Sequence, residues 1–310
     1  MSVALLSCAD LRIDVDGAAL IDGLSCAAEQ DQVGLVGAWE PLFLYLTGRA
    51  ELAGGSCQLL GMDARDAVQS GAAGVACHDP PLPPQWSALE YVQRSAELAG
   101  VSASHARASA QSCLSDLGVD NLAARRLSSL TPAERRVLGI VQATATRPAA
   151  LVLDAPLADL DEPGQELVAY VLQRAAAERR LLCSARRIPA AGSERGLIDA
   201  LQQVLILENG RLLAAGSPSE LFGKSAVYRV SAIGGGALFR GELERRGCRV
   251  FSLSLGQVGG DGESSRLLVR LPDGTSADAI LDAALAAEAG IIEMIPVQAA
   301  QADLDALGAS

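Results

Sequence analysis

Residues 149–156, Ala-Ala-Leu-Val-Leu-Asp-Ala-Pro, are apolar and β-rich until they meet one acid, Asp154. A strand with one wet face alternates in polarity, whereas a strand covered on both faces does not. The run therefore predicts an internal strand of a parallel sheet, which needs crossover helices on its faces. The surrounding sequence supplies them. Strands are predicted over 3–15 and 180–185, and helices over 131–146 and 162–179. Residues 88–124 read as helical with a break near Gly100. Residues 25–37 read as a hairpin return into a buried strand ending at Gly37, and 41–48 as a short helix stopped by Gly48. Gly54-Gly55 reads as a turn before a short strand. Residues 71–86 read as a strand entering a loop that Pro80, Pro81, Pro83 and Pro84 keep irregular. Asn209-Gly210, between two apolar runs, predicts a hairpin.

This alternation defines an α/β domain over about residues 1–225, with a helical arm over about 88–146. Beyond it the order changes. Strands over 227–233, 248–256, 265–271 and 291–297, with helices over 236–246 and 276–289, give a β-α-β-β-α-β module. That order predicts a small ferredoxin-like α+β unit over 226–310, with turns at 259–264 and 272–274.

A formal charge of −12 argues against non-specific binding to nucleic acid or anionic lipid. The basic spots at 124–126 and 134–136 read as solvated helix faces. The seven cysteines are scattered singly, with no C-x-x-C pair, and read as reduced buried thiols rather than disulfides or metal ligands. Two histidines make a histidine-based metal site improbable. The first fifteen residues lack the basic start of a signal peptide, and no uncharged apolar run reaches bilayer length. A cytoplasmic location is expected.

Taken in order, the motifs from residue 3 to about 222 resemble the ATP-binding subunit of an ABC transporter. "GVACHDPPLPPQWSALEYV" is similar to the family's Q-loop segment, and "LTPAERRVLGIVQATATRPAALVLDAPLADLD" to its signature helix, Walker B strand and D-loop. "LILENGRLLAAGSPSELF" is similar to the hairpin that closes such domains. The C-terminal module resembles, more weakly, a regulatory extension of some subunits serving exporters. The resemblance implies a P-loop-NTPase-like ABC ATPase core, ATP-Mg²⁺ as cofactor and hydrolysis coupled to transport. It also implies two kinds of partner: a membrane permease, and a homologous ATPase subunit or a second copy of the chain.

The residues depart from what that chemistry needs. A phosphate loop, G-x-x-x-x-G-K-[ST], curls backbone amides around the anion and adds a lysine and a metal-binding hydroxyl. Gly34 and Gly37 match the strand end and loop entry, but Ala38-Trp39-Glu40-Pro41 follow. The loop is about four residues short and lacks lysine and hydroxyl. Trp39 either plugs the site or lies on the surface of a tight turn. Val15 stands at the position of the adenine-stacking aromatic, and His78 at that of the Q-loop glutamine, where it either touches a permease or water or is a plain loop residue. Asp154 matches the metal-ordering acid or caps local backbone. Ala155 replaces the general base and Arg186 the switch histidine. Asp161 is a D-loop acid or a helix cap. At the signature, Thr131-Pro132-Ala133-Glu134 reads as a capping box, which satisfies the helix amides internally and sets a negative charge where phosphate would sit.

Together these departures lead to an expectation of a pseudo-ATPase subunit with no catalytic residue, no metal and no cofactor, peripheral at the inner membrane face through its partner. Two alternatives stand beside it. One is an active ATPase using Arg186 or Arg187 as the phosphate cation, with ATP-Mg²⁺ as cofactor. The other is a soluble scaffold that acts through its C-terminal module.

Overall fold

The computed structural model describes residues 3–15, 17–80, 82–189, 192–222, 227–253, 264–272 and 275–296. Two compact units divide the chain, Met1–Leu212 and Leu213–Ser310.

The first unit holds an antiparallel sheet and the parallel sheet that the Asp154 run predicts. The antiparallel sheet contains β1 (Leu6–Val15), β2 (Ala18–Ala28), β4 (Glu51–Leu59) and the short β5 (Met62–Asp63), in the order β2-β1-β4-β5. The larger sheet contains β3 (Gln32–Gly37), β6 (Ala73–Ala76), β7 (Ala150–Leu153), β8 (Arg180–Ala185) and β9 (Gln203–Glu208). Asn209 and Gly210, both at positive φ, turn β9 back into β10 (Arg211–Gly216). The order is β10-β9-β3-β8-β7-β6, and β7 pairs in parallel with β6 on one side and β8 on the other.

Residues 25–37 are not a hairpin. β2 pairs with β1, whereas β3 pairs in parallel with β8 and β9. The reason lies in burial: β3 is covered on both faces and so belongs to the inner sheet. Nor is Gly54-Gly55 a turn. Both residues lie inside β4, where the β1–β4 register jumps between Ala9 and Arg12. Gly55 has φ +73°, and a Cβ there would lie 2.1 Å from the Asp10 carbonyl oxygen, so the bulge admits only glycine at this position.

Each face of the parallel sheet has its own cover. Val152, Leu182 and Leu35 pack with the antiparallel sheet and α1 (Glu40–Leu46), beside which lies α2 (Ala64–Gln69). Leu151, Leu153 and Leu181 pack against the helical side. That side contains α3 (Ala88–Leu98), α4 (Ala103–Asp116), α5 (Pro132–Thr144) and α6 (Glu162–Ala176). A further helix, α7 (Ser193–Ala200), follows β8.

The second unit has a short helix, α8 (Pro218–Phe222), followed by β11 (Val227–Ile233), α9 (Gly236–Arg245), β12 (Arg249–Leu253), β13 (Ser264–Arg270), α10 (Asp278–Ala286) and β14 (Gly290–Pro296). The strand order β12-β13-β11-β14 is the antiparallel ferredoxin-like sheet that the β-α-β-β-α-β sequence predicts. Phe239, Leu243, Ile280 and Ala283 from its helices meet Val230 and Val269 from its strands. Residues 259–263 of the turn expected at 259–264, and 273–274 of that expected at 272–274, lie outside the described residues.

Candidate functional site

β3 ends in Gly37, whose φ is +103°. A Cβ there would lie 2.0 Å from the carbonyl oxygen of Leu207 on β9, so this strand end admits no side chain. At Gly34 a Cβ would lie 2.7 Å from Leu201 Cδ1, the movable end of a side chain, so the restriction there is weaker. Past Gly37 the chain goes almost directly into α1. The Trp39 backbone N–H donates to the Gly37 carbonyl at 2.9 Å, and Leu42 N–H donates to the Trp39 carbonyl at 3.0 Å. Pro41 has no N–H to offer. Trp39 is 0% exposed, and its indole N–H donates to the Val36 carbonyl at 3.0 Å. The surface placement of Trp39 is therefore replaced by a core one. The ring turns inward among Leu42, Phe43 and Leu35, where burial of a large aromatic is most favourable. Ala38 and Glu40 remain exposed.

The end of β7 is polar. Asp154 accepts from the Ser184 hydroxyl at 3.1 Å and from the His78 backbone N–H at 3.4 Å. Ser184 in turn accepts from Ala155 N–H at 2.8 Å. Ala155 is buried at φ +40°, a left-handed conformation that costs a non-glycine residue about 1–2 kcal/mol. This turn presents the Ala155 carbonyl to His78 Nδ1 at 3.2 Å.

The other ring nitrogen of His78 has two neighbours. Nε2 lies 3.2 Å from Arg136 Nη2 and 3.2 Å from Asp159 Oδ2. The neutral ring with its proton on Nδ1 donates to Ala155 and accepts from Arg136. The protonated ring donates to Asp159 instead. Asp159 also pairs with Arg186 at 2.8 Å. Burial pushes Arg136 below the usual arginine range, while the carboxylates of Asp79, Asp154 and Asp159 pull it back up. One of its terminal nitrogens, Nη1, is buried with no hydrogen-bond partner. The spot at 134–136 is thus not a solvated helix face: Arg136 is half-buried against the acids at the end of β7. Nor is 124–126 helical, since Arg125 sits after a short 3-10 turn and pairs with Glu134.

Two helix starts complete the region. Thr131 Oγ1 accepts from Glu134 N–H at 3.2 Å, and Glu134 Oε2 accepts from Thr131 N–H at 2.8 Å, with Pro132 at the first helical position. This reciprocal pair satisfies the amides that open α5. Hydrogen bonds from Thr131 and the pairing with Arg125 outweigh burial and hold the Glu134 carboxyl below the ordinary glutamate range. At the start of α6, Asp161 Oδ1 accepts from Gly164 N–H at 3.1 Å. A Cβ on Gly164 would lie 3.2 Å from Ala133 Cβ, so the two helix starts touch.

The structure therefore brings Asp154, Ala155, His78 and, through Asp159, Arg186 into one group. Gly34 and Gly37 lie two strands away on β3, with β8 between, and Val15 is half-buried at the end of β1. Sequence reasoning missed Arg136, Asp159 and Ser184. Arg136 follows the capping box in the same helix and Ser184 precedes the switch position, but only the tertiary fold aims them at Asp154. Among the described residues no group of three or more His, Cys, Asp or Glu side chains is arranged to hold a metal ion.

With this geometry in hand the chain can be compared with known proteins. No family model matches it. Over 111 residues, 36% of the chain, it is 32% identical to the molybdenum import ATP-binding protein ModC of Escherichia coli K12, covering 30% of that protein. It is 28% identical over 111 residues to the mitochondrial potassium channel ATP-binding subunit of Rattus norvegicus, covering 15% of it. The chain thus spans less than a third of the length of these relatives. Among solved structures, cbiO1 from Clostridium perfringens, part of the ABC transporter complex cbiONQ, superposes with a TM-score of 0.58 at 18% identity, over 71% of this chain and 90% of that one. A nucleotide-free ATP-binding cassette from an ABC transporter superposes with a TM-score of 0.58 at 17% identity, over 69% and 91% of the two chains. The fold is that of the ABC ATPase cassette. The chain is a relative of the ATP-binding subunits of ABC transporters.

Proposed function

We propose that this chain is a pseudo-ATPase subunit of an ABC transporter complex: it keeps the cassette as a structural or regulatory partner and does not hydrolyse ATP itself. The observation that carries this reading is the fully buried Trp39, which fills the β3–α1 junction and whose backbone N–H is spent on Gly37. A triphosphate needs several free amides and a cation there. ATP-Mg²⁺ does not fit these residues. The junction supplies no lysine and no hydroxyl, and the first helical acid, Glu40, would repel the anion. At β7, Asp154 is already bonded to Ser184 and His78, and the neighbouring Ala155 cannot polarise water. Arg186, one of the two arginines offered as a substitute cation, is paired with Asp159.

The surviving cassette supports three further parts of the reading. The chain pairs with an ATPase homologue or with itself. It docks a permease through the loop around 76–92 and is thereby held at the inner face of the membrane. Among the described residues no helix is long and apolar enough to cross a membrane. The ferredoxin-like module serves as a regulatory or interaction unit. Steady-state ATPase assays of the purified chain test the first claim. Background rates, unchanged by Asp154→Asn, are expected; a rate well above background that Asp154→Asn abolishes overturns it. Affinity capture of the tagged chain from solubilised membranes tests the second, with a permease expected among the captured proteins.

A further inference from the structure

Three of the seven cysteines, far apart in sequence, form one row across the antiparallel sheet. Cys8 on β1 is the direct cross-strand partner of Cys26 on β2 and of Cys57 on β4. Directly paired residues point to the same face of a sheet, and the flanking pairs Leu6–Ala28 and Leu6–Leu59 mark this face as the one turned to the core. Cys8 and Cys57 are buried, Cys26 is partly exposed, and all three are free thiols. The Sγ atoms of Cys8 and Cys57 are 3.9 Å apart, and Cys26 stands opposite Cys8 on the other neighbouring strand. The sequence reading of singly scattered thiols holds along the chain but not in space.

The shape of the cluster selects its chemistry. Cys8 stands between the other two, which are separated by two strand spacings, about 9–10 Å at the backbone. Three donors in a row do not converge on one point, in keeping with the absence of a three-donor metal group among the described residues. Zinc, which takes four ligands in a tetrahedron, finds no site here. A soft cation that accepts two thiolates does. Peroxide chemistry is disfavoured: the Cys8 thiol, then burial, push Cys26 well above the ordinary thiol range, and such thiols are poor nucleophiles. Metal binding escapes that objection because a coordinated thiol gives up its proton outright. Two thiols lose two protons to solvent as the cation enters, and the bis-thiolate formed with a monovalent ion carries one net negative charge.

We infer that Cys8 and Cys57, reached through the partly exposed Cys26, form a two-thiolate site for a soft monovalent cation, with Cu(I) as the probe. The test uses the full chain, reduced and anaerobic, titrated against Cu(I) held by a coloured chelator. The expected result is withdrawal of about one equivalent of copper, with a rise in Tm, and no comparable uptake of Zn(II). Cys8→Ala removes the shared ligand and loses the copper. Cys183→Ala, a buried thiol outside the row, keeps it. Should Cys8→Ala fail to fold, X-ray absorption on the copper-loaded wild-type chain decides, with a low-coordinate, sulfur-only first shell expected. No withdrawal of copper overturns the inference. So does full retention by folded Cys8→Ala, equal affinity for Zn(II), or a nitrogen- or oxygen-rich shell.

Discussion

The ends of β3 and β7, the two halves of the site on the proposed reading, are occupied by opposite chemistries. At β3 the filling is apolar: Trp39 is sealed in the core, and its ring N–H and backbone N–H both bond back to the end of β3. At β7 the filling is ionic: Arg136 and His78 lie among Asp154, Asp159 and Asp79, with Ser184 bridging to the backbone. An apolar filling replaces the volume a ligand would need. An ionic one replaces only the charge and leaves the acid in place. The comparison teaches that the β3 end cannot be reopened without damaging the core, whereas the β7 end keeps its acids and can be perturbed at its cation.

Trp39→Ala breaks the comparison most sharply. It empties a fully buried indole position and should cost about 3–5 kcal/mol in urea unfolding, without creating ATP affinity, since the loop stays short. Arg136→Gln should cost less, about 1–3 kcal/mol, because the side chain is only half-buried and carboxylates rather than a cavity are left behind. Its Tm should then rise with added Mg²⁺ or Mn²⁺, whereas that of the wild-type chain should not. A Trp39→Ala chain that unfolds no earlier than Arg136→Gln contradicts the contrast. Thr131→Ala, at the capping box of α5, should cost about 1 kcal/mol and serves as the measure of an ordinary helix start. The smallest effect is one of pH. Glu134 is held below its ordinary range, so its contribution is complete above that range and is lost as the pH falls through the depressed value. Glu134→Gln should flatten that part of the urea-midpoint curve, measured in steps down from neutral pH.

Much of the fold was legible because its signals are local. The apolar run before Asp154 announced a parallel strand, Asn209-Gly210 a hairpin, and Thr131 with Glu134 a capping box, and each depends on residues only a few positions apart. Where the reading failed, distant pairing decided. Gly54-Gly55 looks like a turn until β1 lies beside β4 and forces a bulge. Residues 25–37 look like a hairpin until β3 is drawn into the other sheet. At the candidate site the same limit appears. The missing lysine and the alanine after Asp154 could be read directly, but the partners of Asp154 could not. Ser184 reaches it from β8 and His78 through its backbone N–H, while Arg136 on α5 bonds to His78, and neither the helix period nor the strand period says which neighbour they face. Trp39 was ambiguous because a short turn allows an aromatic ring to point either way, and only the core beneath α1 decides.

The most direct test of the account is an isothermal titration of ATP, with excess Mg²⁺, into the purified chain. A junction closed by Trp39 predicts no saturable heat up to about 1 mM nucleotide, and no difference between the wild-type chain and Asp154→Asn. Saturable binding in the micromolar range that is lost in Asp154→Asn would contradict it.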